Sequence, residues 1–199
     1  MSKTEFLYDM INIALREHRR QVRKGSGLPY IVHPMEVMST LIQHGITNEF
    51  VLCAAVGHDL YEDARQPRIV RGLIRLNFPP QVDYMINALT IVGSHSPDEK
   101  RALIIDQILT SEEEWRPHIM AIKMADRLSN IGSMGGTGWS DHKQKRYATE
   151  GITFALNFGA GCPSLAARLT LLANQIIEAI DVIGGEEVIE TIDDLQGRN

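Results

Sequence analysis

Ionisable side chains set among apolar ones must have their lost hydration replaced by a partner, and three stretches of this chain raise that demand. In Gly57-His58-Asp59-Leu60-Tyr61-Glu62-Asp63, four ionisable groups follow the apolar run Val51-Leu52-Cys53-Ala54-Ala55. Asp126 interrupts the mostly apolar Ile122-Lys123-Met124-Ala125-Asp126-Arg127-Leu128, and His33 stands directly before Pro34. A bound cation or a network of ion pairs would each answer the demand. An imidazole and a carboxylate on adjacent residues can both reach one metal placed over a helix end, and mixed nitrogen and oxygen donors suit manganese, iron or zinc. If a helix continues through Asp63, Glu62 lies one turn beyond His58 and Asp63 one turn beyond Asp59, beside such a site. Singly each signal is weak: His33 could be a surface or capping residue, and Asp126 could pair with Arg127 or a nearby lysine. Together, a histidine, a His-Asp pair and a later aspartate form a much more specific pattern.

The elements that would carry these groups read as helices throughout. Phe6, Met10, Ile13 and Ala14 share a stripe, which predicts a helix from about Thr4 to Arg20. Lys24-Gly25-Ser26-Gly27-Leu28-Pro29 is a loop, and Pro34 suits the first turn of a second helix that His44-Gly45 ends. Thr47 or Asn48 can cap a third helix through Val51, Leu52, Ala55 and Val56. Pro67 and Pro80 each mark a further start. Ser96-Pro97-Asp98-Glu99 is a capping box, and Ser111 to Glu114 offers a second. Ile119 to Leu128 is a core helix that Gly132 stops, and Asp141 to about Asn157 is helical again. An apolar helix from Ser164 to Ile183, with Gly184-Gly185 as its stop, packs within the domain or against a second subunit of a homodimer. No convincing strand alternation and no repeat is present. The expectation is an all-α, single-domain bundle over residues 1–185, with an acidic tail, a short helix or loose, over 186–199.

Composition narrows the function classes. The chain has 199 residues, 44% apolar and 23% charged, enough for one globular domain. Its net charge of −5 argues against general nucleic-acid binding but leaves room for a small anionic substrate at a local basic pocket or metal. The first residues do not form an apolar signal sequence, and no run approaches the ~20 apolar residues that span a bilayer. Two separated cysteines, Cys53 and Cys162, form no disulfide framework, so the cytoplasm is the expected compartment and no membrane partner is expected.

Pro29-Tyr30-Ile31-Val32-His33-Pro34, His58-Asp59-Leu60-Tyr61-Glu62-Asp63 and Lys123-Met124-Ala125-Asp126-Arg127-Leu128-Ser129-Asn130 resemble three sequence blocks of the alarmone hydrolases of the HD phosphohydrolase superfamily. Gly45-Ile46-Thr47 and Gly138-Trp139-Ser140-Asp141-His142 resemble the small stand-alone form. The resemblance covers roughly Ile11 to Ala155. It implies a helical HD domain that removes the 3′-diphosphate of ppGpp and pppGpp. It also implies one divalent metal, usually manganese, on His33, His58, Asp59 and Asp126, with Glu62 and Asp63 as the carboxylates that orient and activate water. Arg23, Lys24, Asn130, Lys143 and Tyr147 fall at positions that face the nucleotide in that family. Ala64 and Lys143 stand where threonine and arginine are common, and Ile91-Val92-Gly93-Ser94 lacks acidic residues often found there. Another nucleotide substrate, or a catalytically silent nucleotide sensor, are the alternatives. His95 and His118, between the aspartate ligands, read as surface residues.

Overall fold

The structure of the chain, a computed structural model, describes residues 5–196. Ten α-helices follow one another: α1 (Glu5–His18), α2 (Val32–Gln43), α3 (Glu49–Gly57), α4 (Leu60–Asp63), α5 (Pro67–Asn77), α6 (Pro80–Leu89), α7 (Pro97–Leu109), α8 (Arg116–Gly132), α9 (Asp141–Phe158) and α10 (Pro163–Gln196). Single 3-10 turns at Met134–Gly136 and Gly159–Gly161 join the last three. Among the described residues the only β pairing is an isolated bridge between Val22 and Pro29, so the all-α expectation holds.

Most helix ends follow from local chemistry. Asn48 caps α3 by accepting from the Phe50 and Val51 amides at 2.9 and 3.4 Å. Ser96 and Glu99 form both bonds of the capping box at the start of α7. Prolines open α5, α6 and α7, where a missing N–H costs nothing. Gly45 follows α2 at φ 82°, a left-handed conformation that ends the helix. The second capping box does not form. Ser111 instead donates to the Ile108 carbonyl at 2.7 Å, and α8 begins after Trp115. A hydroxyl that already closes the end of α7 is spent before α8 starts.

Helix α10 also runs through Gly184-Gly185, where the sequence suggested a stop. Glycine ends a helix when it turns left-handed; inside one it costs about 1 kcal/mol relative to alanine. Helix-forming residues lie on both sides of the pair. Residues 197–199 of the expected tail lie outside the described residues.

The hub of the fold is α3, whose residues from Val51 to Gly57 are all buried. Helices α1, α2 and α6 pack around it, and α2 also packs on α8. Helix α9 packs on α8 and α10, and Leu165 and Leu169 place the apolar stripe of α10 inside the domain. The closest approaches are made at glycines. A side chain on Gly57 would meet Ile86 and the Met10 sulfur at 2.8 and 3.0 Å, which lets α3 deliver the next residue, His58, into the interior. Both cysteines are buried and free.

Candidate metal centre and substrate cavity

Three regions of the chain bring the predicted ligands together. His33 is the second residue of α2, His58-Asp59 forms the break between α3 and α4, and Asp126 lies in the middle of α8. His33, His58 and Asp126 are buried, and each offers a ligand atom within 4.8 Å of the other two. The His33 Nε2 lies 3.2 Å from Asp126 Oδ1 and 3.6 Å from Asp59 Oδ2. The His58 Nε2 lies 3.1 Å from Asp59 Oδ2 and 3.8 Å from Asp126 Oδ1. The expected continuous helix through Asp63 is interrupted: α3 stops at Gly57 and α4 resumes at Leu60. The break lets neighbouring residues 58 and 59 face one point.

Hydrogen bonds from surrounding residues hold His58, Asp59 and Asp126 in place. The His58 Nδ1 donates to the Ala55 carbonyl at 2.8 Å, which turns Nε2 inward; that buried atom makes no hydrogen bond. The Tyr30 hydroxyl donates to Asp59 Oδ2 at 2.5 Å. Asp126 accepts from Lys123 Nζ at 2.8 Å and from Asn130 Nδ2 at 2.6 Å. Lysine 123, one turn before it, is thus its cationic partner. Arg127, the nearer candidate in sequence, turns away to Glu150 at 3.3 Å and stacks 3.9 Å over the Tyr147 ring.

The electrostatics of the cluster ask for positive charge. Burial pulls the His58 pKa down, but Asp59 and Asp126 outweigh it and push it up to about 10. Burial lowers that of His33. Burial would raise Asp126, yet Lys123 and the two histidines hold it well below the carboxylate range, and His58 with His33 does the same for Asp59. Two imidazole nitrogens and the Asp126 carboxylate drawn together, with Asp59 Oδ2 beside both imidazoles and one nitrogen lacking any hydrogen bond, fit a divalent cation of the transition series.

This cluster lies in the wall of a cavity of about 500 Å³. Glu62 and Asp63 border it, and so do Lys24, Asn130 and Tyr147. The two carboxylates differ. Glu62 is engaged at both oxygens, by the Ile91 amide at 2.9 Å and by Lys100 Nζ at 2.6 Å. Among the described residues nothing hydrogen-bonds the exposed Asp63 carboxylate. Partial burial, with Asp59 and Glu62 nearby, raises its pKa.

Two other predicted residues sit apart from this wall. The Arg23 guanidinium is buried against α8, donating to Asn130 Oδ1 at 2.8 Å, to the Ser129 carbonyl and hydroxyl, and to Ser133. It borders a smaller adjoining cavity of about 280 Å³ that shares Lys24, Asp63, Asn130 and Tyr147 with the first. The Lys143 ammonium rests 3.9 Å over the Trp139 ring, and Trp139 borders only the smaller cavity. Arg23 and Lys24 leave the chain in a short hairpin closed by the Val22–Pro29 bridge and by an Arg23 amide bond to the Leu28 carbonyl at 2.8 Å. His95 is exposed and His118 half-buried; neither borders the cavity.

Sequence reasoning did not single out Tyr30 or Lys100, and reached Lys123 only as a lysine near Asp126. The Lys123–Asp126 pair was readable as helix spacing. Lys100 was not, because 38 residues separate it from Glu62.

A family model for the HD domain matches residues 11–154. The human guanosine-3′,5′-bis(diphosphate) 3′-pyrophosphohydrolase MESH1 is 32% identical over 151 residues, 73% of this chain and 80% of the human protein. A protein of Aquifex aeolicus with the same enzyme name is 30% identical over 138 residues, 67% of this chain but 18% of that longer protein. A solved structure described as a metazoan orthologue of SpoT that hydrolyses ppGpp superposes with a TM-score of 0.73 at 25% identity, covering 90% of this chain and 97% of that one. The chain therefore belongs to the HD-domain family and is a homologue of the guanosine-3′,5′-bis(diphosphate) 3′-pyrophosphohydrolases.

Proposed function

We propose that the chain hydrolyses the 3′-diphosphate of ppGpp and pppGpp, releasing pyrophosphate and leaving GDP or GTP. The observation that carries this reading is the meeting of His33, His58, Asp59 and Asp126 in the wall of a cavity that cationic side chains also border. The two relatives and the structural neighbour, each named or described for this hydrolysis, support it.

In this reading His33, His58, Asp59 and Asp126 hold one divalent cation, and their donor set suits manganese. When bound, such an ion supplies water of lowered pKa and charge neutralisation at phosphoryl oxygens. In the overall reaction the water oxygen joins the phosphorus attached to the ribose 3′ oxygen, the P–O3′ bond breaks, and the 3′ oxygen leaves with a proton. Asp63, free of hydrogen bonds and raised in basicity, takes the proton of the attacking water. Glu62, held by Ile91 and Lys100, keeps the cavity edge in place and fixes the Lys100 charge beside the substrate. Lys24, Lys100 and Arg101 border the cavity and would meet the phosphate charge of the substrate. Tyr147, with Arg127 stacked on its ring, offers the nucleoside a rigid face. Buried free thiols agree with a cytoplasmic site of action.

The deciding experiment incubates manganese-loaded protein with ppGpp, pppGpp, deoxynucleoside triphosphates and nucleoside monophosphates. Pyrophosphate and GDP from ppGpp are the expected products. Turnover of another nucleotide with ppGpp left intact would overturn the substrate assignment.

A further inference from the structure

On the side of α8 away from the substrate cavity lies a groove bordered by Glu36, Ser129 and Arg168. Its floor connects to the metal centre through one hydroxyl. Ser129 Oγ donates to Glu36 Oε2 at 2.6 Å, accepts from Arg23 at 3.0 Å, and lies 2.9 Å from His33 Nδ1. A hydroxyl has one proton and two lone pairs. The proton goes to the carboxylate, because a carboxylate only accepts. One lone pair takes the guanidinium N–H, because a guanidinium only donates. The remaining lone pair faces His33, so Nδ1 carries a hydrogen, and in the neutral ring that a metal ligand must be, Nε2, turned toward Asp59 and Asp126, carries the lone pair.

We propose that Glu36 and Ser129 are positioning residues that set the His33 tautomer from outside the cavity, and thereby the affinity for the divalent cation. This rests on the metal reading given above. Without Glu36 the Ser129 proton is free to turn toward His33 Nδ1. That selects the opposite tautomer and points an N–H at the cation. Hydrogen bonds to the far nitrogen of a ligating histidine commonly govern metal affinity by about 10–100-fold. Glu36 itself is exposed and borders none of the substrate cavity, so its truncation disturbs little packing.

The test measures Mn2+ affinity without substrate, by electron paramagnetic resonance of the free ion. It uses the wild type, Glu36→Ala, Glu36→Gln, Ser129→Ala and the double alanine variant. The expected result is a dissociation constant raised about tenfold or more in Glu36→Ala and in Ser129→Ala. Glu36→Gln, whose carbonyl oxygen still accepts the serine proton, should restore near wild-type affinity, and the double variant should be no worse than Ser129→Ala alone. Nitrogen-15 shifts of His33 in the metal-free protein should show hydrogen on Nδ1 in the wild type and loss of that pattern in Glu36→Ala. Wild-type affinity in Glu36→Ala, with an unchanged His33 tautomer, overturns the relay alone. A wild type that binds no divalent cation overturns the metal reading and the relay together.

Discussion

Adjacent carboxylates at the cavity edge meet different environments, and the roles proposed for them follow from that difference. Glu62 has both oxygens committed, whereas Asp63 has neither, and its acidity is weakened by partial burial and then by the neighbouring negative charges. Removing a positioned proton acceptor costs about 10²–10⁴ in rate. Asp63→Asn is therefore expected to lose turnover on that scale while still binding Mn2+. Glu62→Gln should lose less, with a larger share of the change in KM, since it weakens the hold on Lys100. Steady-state kinetics on ppGpp with metal titrations check both; a deeper loss of kcat in Glu62→Gln would reverse the assignment. The sequence alone left these two residues equivalent, because nothing local to Glu62-Asp63 announces Lys100 or the Ile91 amide.

At the scale of elements, helix contacts through glycine explain how the site is assembled so closely. A side chain on Gly161 would lie 2.5 Å from the Pro117 carbonyl oxygen, where backbone leaves no room to give. Gly161→Ala should destabilise the fold by about 1–3 kcal/mol. Gly72, inside α5, has nothing within 4 Å of the place an alanine methyl group would take, so Gly72→Ala should stabilise by about 0.5–1 kcal/mol. Urea midpoints for the two variants, moving in opposite directions, check this; a shift of both the same way would contradict it. Helix positions were readable in the sequence because proline, asparagine and the Ser96–Glu99 pair act within one turn. The unformed box at Ser111, the helix continuing past Gly184-Gly185, and the break at His58-Asp59 were not. Each depends on competition with a neighbouring helix end or on packing rather than on local preference. The meeting of His33, His58 and Asp126 was legible for the opposite reason: a charge in an apolar run has to be answered, wherever its partner lies.

For the whole molecule, one cation would join residues 33, 58, 59 and 126, tying α2, the α3–α4 break and α8 together. A ligand that binds the folded state at about a thousand times its dissociation constant adds roughly 4 kcal/mol of stability. In a chain of this size each kcal/mol moves the melting temperature by about 2–4 °C. Saturating Mn2+ should therefore raise Tm by roughly 8–16 °C over chelator-treated protein, as read by calorimetry. A Tm indifferent to metal would mean that the four side chains do not bind a cation together.

The hairpin that precedes His33 makes loop length a constraint separate from loop composition. Arg23, next to the Val22–Pro29 bridge, turns into α8, while Lys24, the first residue of the turn, borders the cavity. Dropping or adding one residue between Gly25 and Gly27 would break the closure made by the Val22–Pro29 bridge and the Arg23–Leu28 bond, and so shift both side chains. The Arg23 guanidinium would then lose its places on Asn130, Ser129 and Ser133, and Lys24 its place at the cavity edge. Substitutions at Ser26 should pass unnoticed in this turn, whereas any change in the number of its residues should not.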